Sequence, residues 1–151
     1  MNFEYDEDRA YFAALLCGGD ATVLEARYGH CFDFRSPETK RAEFNRLRSR
    51  LLSQLLKQPG RKCMLQFPDF CEGNETLEVD HLIPLSSNVL NKTLRHLKAA
   101  KGKKVQTQSF GSNHPDNLIL ACTRCNAFKK NRMPDAGLLV RVHAAKSQKP
   151  I

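Results

Sequence analysis

An aspartate and a histidine stand side by side in the stretch VDHLIP, at Asp80 and His81. Farther along, the C-x-x-C pair Cys122 and Cys125 runs directly into Asn126 in CTRCNAFKKN. A carboxylate and an amide oxygen on adjacent elements can hold one Mg²⁺-like cation, which prefers oxygen ligands and keeps several waters. A histidine beside them can take a proton from a water that attacks phosphorus. Two thiolates at C-x-x-C spacing supply half of a closed tetrahedral zinc site. The other half is most simply Cys63 and Cys71, whose seven intervening residues make a longer loop than usual. A histidine such as His114 is the alternative to Cys63, which would then be a buried thiol. Cys17 and Cys31 sit in apolar or aromatic surroundings and read as small buried hydrophobes.

These residues need elements that bring positions 63–81 against positions 117–126. Leu77 and Val79 belong to a short strand over 77–79, and Pro84 prevents its clean continuation. NLILA at 117–121 is a second strand, and 123–131 is a helix that Thr123 can cap. The cysteine clamp ties the approach to the first strand to the start of that helix. Between them, NVLNKTLRHLKAA over 88–100 reads as a helix that gives way to a basic loop ending near 113. That insertion carries Lys101, Lys103 and Lys104, and we read it as a substrate-contacting segment.

Upstream, residues 7–16 form a short helix stopped by Gly18 and Gly19. A second helix over 21–28 is capped by Asp20. The longest helix spans 36–57, with Ser36 as N-cap and Pro37 in the first turn. Phe44, Leu47, Leu51 and Leu55 give it one apolar stripe, and Arg46, Arg50 and Lys57 fall on the opposite side. The tract after Asp135, LLVRVHAAK, is a last short helix or strand before a polar tail.

Charge is distributed unevenly along the 151 residues. The net charge is +8, yet residues 1–35 carry seven acidic against three basic side chains. The excess therefore lies wholly in residues 36–151, which is the electrostatic footprint of a nucleic-acid partner. Lys129 and Lys130, one turn beyond Asn126, join the candidate phosphate contacts. No apolar run reaches the length of a membrane span. The acidic start, MNFEYDEDRAYF, lacks the pattern of a signal peptide, so an intracellular, cytoplasmic location is expected and disulfides are not.

Taken together and in order, VDHLIP, HPDNLILAC and CTRCNAFKKN resemble the motifs of the HNH endonucleases. The resemblance covers about residues 63–134. It implies an α+β chain in which a ββα-metal core with a structural zinc follows a mainly helical N-terminal segment. It divides the chain into a helical part at 1–60, a nuclease core at 61–134 with a basic insertion at 88–113, and a C-terminal helix and tail at 135–151. It also implies roles. Asp80 and Asn126 hold the catalytic Mg²⁺ or Mn²⁺, His81 is the general base, and Asn117 bridges the loop and holds the histidine's backbone. Cys63, Cys71, Cys122 and Cys125 hold Zn²⁺. The activity implied is hydrolysis of DNA phosphodiester bonds by a phage, homing or restriction-type nuclease, with a homodimer as a means of cutting both strands. The rival from another class is a zinc-stabilised DNA-binding protein without cleavage, which has no use for Asp80, His81 and Asn126 together.

Overall fold

The computed structural model describes residues 1–58 and 61–146. Pro59 and Gly60, expected to end the longest helix, and the polar tail from residue 147 lie outside the described residues. Helix α1 (Asp6–Cys17) ends at Gly18, whose φ of 61° is the left-handed conformation that closes a helix without a Cβ penalty. Helix α2 (Ala21–Tyr28) starts at Asp20, whose carboxylate accepts from the amides of Thr22 and Val23. Helix α3 (Pro37–Leu56) starts as expected, with the Ser36 hydroxyl accepting from the Thr39 amide.

The strands form two small antiparallel sheets. Strand β1 (Leu77–His81) pairs with β4 (Leu118–Cys122), Val79 opposite Leu120 and Asp80 opposite Ile119. The two-residue strands β2 (Ser86–Ser87) and β3 (Gln108–Ser109) make the second sheet. Helix α4 (Val89–Thr93) lies between them, α5 (Thr123–Lys129) follows β4 without a break, and α6 (Ala136–Lys146) closes the described chain. The architecture is α+β, and β1, β4 and α5 form two antiparallel strands followed by a helix.

Strand β4 is buried along its whole length because both faces of the sheet are covered. Leu118 and Leu120 pack with Val79 against Phe44, Leu51 and Leu55, the stripe predicted on α3. Ile119 and Ala121 face the other way, into a core with Leu65, Cys125 and the α6 residues Leu138, Leu139 and Val142. A third core joins the N-terminal helices to the rest. Phe12 meets Phe32 and Phe110 with ring centroids 5.0 and 5.4 Å apart, and Leu24, Ile83 and Leu90 complete the cluster.

The helix expected over 88–100 is shorter than its pattern. It ends at Thr93, and His96 takes a left-handed φ of 53°. Tertiary bonds explain the early stop. The Leu97 amide turns back to the Asn91 carbonyl at 2.9 Å, while Asn91 Nδ2 donates to the Gln106 carbonyl. Arg95 is drawn across to Asp8 of α1, donating to both of its carboxylate oxygens at 2.8 and 3.1 Å. Asp8 is fully buried, and Gln108 donates to it as well. Arg95 is therefore part of the scaffold and does not contribute to a basic surface. No helix among the described residues is long and apolar enough to cross a membrane.

Candidate metal and catalytic site

The four predicted cysteines converge. The sulfur atoms of Cys63, Cys71, Cys122 and Cys125 all lie within 4.8 Å of one another. Zinc–thiolate bonds of about 2.3 Å place sulfurs of a tetrahedral site somewhat under 4 Å apart, so only a small contraction separates this cluster from a metal site. The cluster can hold a structural ion such as zinc. Cys63 is a member and His114 is not.

Local backbone builds the cage. Cys122, rather than Thr123, is the N-cap of α5, and its sulfur accepts from the Cys125 amide at 3.3 Å. The Glu72 amide also points at that sulfur, and the Gly73 amide points at Cys71 Sγ. Burial alone would raise the Cys122 thiol, but the Glu72 and Cys125 amides, together with the Cys125 and Cys63 thiols, outweigh it and bring the pKa down to about 7. Burial keeps Cys63 and Cys125 above the ordinary thiol range. The C-x₇-C loop is closed by stacking: Phe70 lies on Phe128 of α5 with centroids 4.3 Å apart, and Phe67 meets the same ring edge-on.

At the other end of β1, strand alternation separates the two residues that are neighbours in sequence. Glu78 and Asp80 face α5, where Asn126 Nδ2 donates to Glu78 Oε1 and Lys129 Nζ lies 3.2 Å from Asp80 Oδ2. Val79 and His81 face α3, and the imidazole meets the Phe44 ring edge-on at 4.6 Å. Asp80 and Asn126 thus share one side of the sheet, while the His81 ring leaves from the other.

Lys129 is buried at 2% exposure and donates to the His81 carbonyl at 2.7 Å. It is a buried partner of the site, and the expectation that it contacts phosphate is corrected: its ammonium is spent on Asp80 and His81 inside the fold. Lys130, next along the chain, is exposed. Asp80 Oδ2 accepts no hydrogen bond among the described residues, although it lies at ion-pair distance from Lys129. Burial pushes the Asp80 pKa up, and Lys129 opposes that shift.

His81 is held in a defined tautomer by a relay the sequence did not reveal. Asn113 Nδ2 donates to the Lys40 carbonyl at 2.9 Å, which turns its oxygen toward His81. His81 Nε2 lies 2.8 Å from that oxygen. An amide oxygen only accepts, so Nε2 carries the proton and Nδ1 carries the lone pair. Burial draws the His81 pKa down to about 4, so the ring is neutral near pH 7.

The Lys40 side chain anchors the same region. Fully buried, it donates to the carbonyls of Asp33, Leu85 and Gly111 at 2.7, 2.9 and 2.6 Å. Burial lowers its pKa to about 8, yet three acceptors call for three N–H donors, so the site accommodates the ammonium. Gly111 is fixed by contact: an added Cβ would collide with the Ile83 carbonyl.

Asn117 lies where a brace is needed. Its Oδ1 accepts from the Ile83 amide at 2.8 Å, and its Nδ2 donates to the carbonyls of Ile83 and Ser112 at 3.0 and 2.9 Å. Its own carbonyl accepts from the Leu82 amide. The segment just after His81 is therefore pinned by one buried amide.

Glu78, Asn113 and Lys40 were missed by sequence reasoning, and Lys129 was given a different role. Only Glu78 carried a signal, its two-residue spacing from Asp80. The basic residues Arg46, Arg50, Lys57, Lys101, Lys103 and Lys104 are all exposed. No protein-family model matches the chain, and comparisons with curated proteins and with solved structures give no match.

Proposed function

We propose that this chain is a metal-dependent endonuclease of the HNH, ββα-metal type that hydrolyses DNA phosphodiester bonds. The observation that carries the reading is the gathering of Asp80, Glu78 and Asn126 on one sheet face, with Asp80 Oδ2 buried and met by the Lys129 ammonium at 3.2 Å. A carboxylate beside a single ammonium keeps lone pairs with which it can also ligate a cation. The donor set fits a hard dication: Asp80 and Asn126 would hold it, with Glu78 beside them. Such an ion neutralises the scissile phosphate and the leaving oxygen.

The chain's own groups divide the remaining work. His81, neutral and with its Nδ1 lone pair unprotonated, takes the proton from the attacking water. Asn113 fixes that tautomer, and Asn117 holds the backbone that follows. Lys129 opposes the upward push that burial gives the Asp80 pKa. Arg46, Arg50, Lys57, Lys101, Lys103, Lys104 and Lys130 supply exposed positive charge for the phosphate backbone. Cys63, Cys71, Cys122 and Cys125 would hold zinc and, through it, tie the start of α5, which carries Asn126, to residues 63–71. A homodimer of such chains would cut both strands.

A second reading, a zinc-stabilised DNA-binding protein without cleavage, draws on the burial of His81 against Phe44 on the face opposite Asp80. One experiment separates the two. Plasmid cleavage is followed in Mg²⁺ for the wild type and for His81→Ala, Asp80→Ala and Asn126→Ala, and duplex binding is measured in Ca²⁺. Loss of the base is expected to slow cleavage roughly 10²–10⁴-fold. Affinity, which comes from many dispersed phosphate contacts, should stay nearly unchanged in His81→Ala. Equal cleavage by His81→Ala and the wild type removes the histidine from the chemistry. A wild type that binds DNA tightly and never cuts it establishes the second reading.

A further inference from the structure

A second group of metal-ligating side chains lies away from β1. His30 is in the 3₁₀ turn Gly29–Cys31, and His114 and Asp116 are at the turn Pro115–Asn117. One donor atom from each lies within 4.8 Å of the other two, and all three residues are exposed. Asp116 Oδ2 is 2.7 Å from His30 Nε2 and 3.9 Å from His114 Nδ1. The two imidazoles meet edge-on with centroids 4.5 Å apart.

The backbone brings these side chains together without help from an ion. Ser112 Oγ donates to the His30 carbonyl at 2.6 Å and accepts from the His114 amide at 3.2 Å. The Ser112 amide donates to the Cys31 carbonyl at 2.9 Å. Lys146 of α6 donates to the Pro115 carbonyl at 2.8 Å. Most of the ordering that a ligand would otherwise have to impose is already in place.

We infer that His30, His114 and Asp116 form a binding site for a transition-metal dication of the zinc or cobalt kind. Bonds of about 2.0–2.2 Å to two imidazole nitrogens and one carboxylate oxygen fit donors at these separations after shifts of a few tenths of an ångström. Binding exchanges two hydrogen bonds for coordination. The proton between His30 Nε2 and Asp116 Oδ2 leaves to solvent or moves to Nδ1 of His30. His114 gives the ion the Nδ1 lone pair that now accepts from the Asp116 amide.

The surroundings select the kind of ion. His30 and Asp116 border a cavity of about 350 Å³ that Arg27 and Lys146 also line. Two cationic side chains raise the cost of any dication, so an ion must gain from the imidazole nitrogens, and Mg²⁺ or Ca²⁺, which prefer oxygen ligands, gain little. Imidazole lone pairs favour zinc, cobalt or nickel. Three protein ligands leave a coordination position for water or an exogenous group, as in open zinc sites. An ion there would clip the turn at 29–31 to the turn that leads into Asn117. The site is independent of the nuclease reading.

The test is metal stoichiometry with cobalt as a spectroscopic probe. Full-length protein is saturated with one equivalent of Zn²⁺ and titrated with Co²⁺. Wild type should take up one more metal equivalent than His30→Gln or Asp116→Asn. The added Co²⁺ should show visible ligand-field bands without the sulfur-to-cobalt charge transfer of a thiolate site. Both variants replace exposed side chains, and an unchanged circular dichroism spectrum verifies that they are folded. Equal uptake by wild type and variants, or charge-transfer absorption from the added equivalent, overturns the site.

Discussion

The two ends of strand β1 are held by different physics. At Leu77 the chain approaches the four-cysteine cluster, and an ion there can tie residues 63–71 to the start of α5 through four bonds. At His81 there is no such clamp. That end is held by Asn117 on Ile83, Lys129 on the His81 carbonyl and Asn113 on the imidazole. The first arrangement concentrates stability in a few strong bonds that a chelator can remove. The second distributes it over buried polar pairs, each of modest net worth but costly to break singly. A reactive group sits better at the second end, because hydrogen bonds can fix a tautomer and an orientation, which packing alone does not do.

The largest expected effect comes from breaking the first end. Cys122→Ser and Cys125→Ser should each lose zinc and the cooperative unfolding transition. Structural zinc contributes roughly 10–16 kcal/mol in small zinc peptides, which exceeds the stability of most domains. Elemental analysis with calorimetry checks this; zinc-free protein that unfolds at the wild-type temperature would refute it.

Breaking the second end should cost less. Lys129→Met leaves Asp80 buried without its cation and the His81 carbonyl without its donor. The expected loss is about 3–5 kcal/mol, the range for removing one partner of a buried ion pair. Urea unfolding of zinc-loaded protein measures it. A loss well below 1 kcal/mol would mean that Asp80 does not depend on Lys129.

The smallest effect, and the one that sharpens the comparison, is a pH dependence confined to the His81 end. The folded pKa of about 4 lies below the ordinary histidine value of 6.5. Between those values the unfolded chain binds a proton that the folded chain does not. Stability from this group is therefore full above about pH 6.5 and falls as pH drops toward 4, by up to about 3 kcal/mol. Acid also releases zinc, so the informative quantity is the difference between wild type and His81→Asn in urea midpoint from pH 7 to pH 5. Parallel curves would show that the imidazole titrates normally.

Much of the scaffold could be read along the chain because its signals are local. Asp20, Ser36 ahead of Pro37, and Gly18 start or stop their helices through bonds to atoms two to five residues away. The α3 stripe found its core because helical period alone puts Phe44, Leu51 and Leu55 on one face. The expected helix at 88–100 failed because its end is decided by Asp8, some 87 residues from Arg95.

For the site, the sequence by itself determined the donor types, the C-x-x-C start of α5, and the strand that carries Asp80 and His81. Only tertiary structure decided that Cys63 completes the cysteine cluster and that Asp80 and His81 face opposite sides of their sheet. It also decided that Lys129 is buried against residues 48 positions away, and that Lys40 and Asn113 set the imidazole's tautomer. The reason is physical: spacing along a chain fixes which groups share a local face, but burial and hydrogen-bond partners depend on which distant segment covers that face.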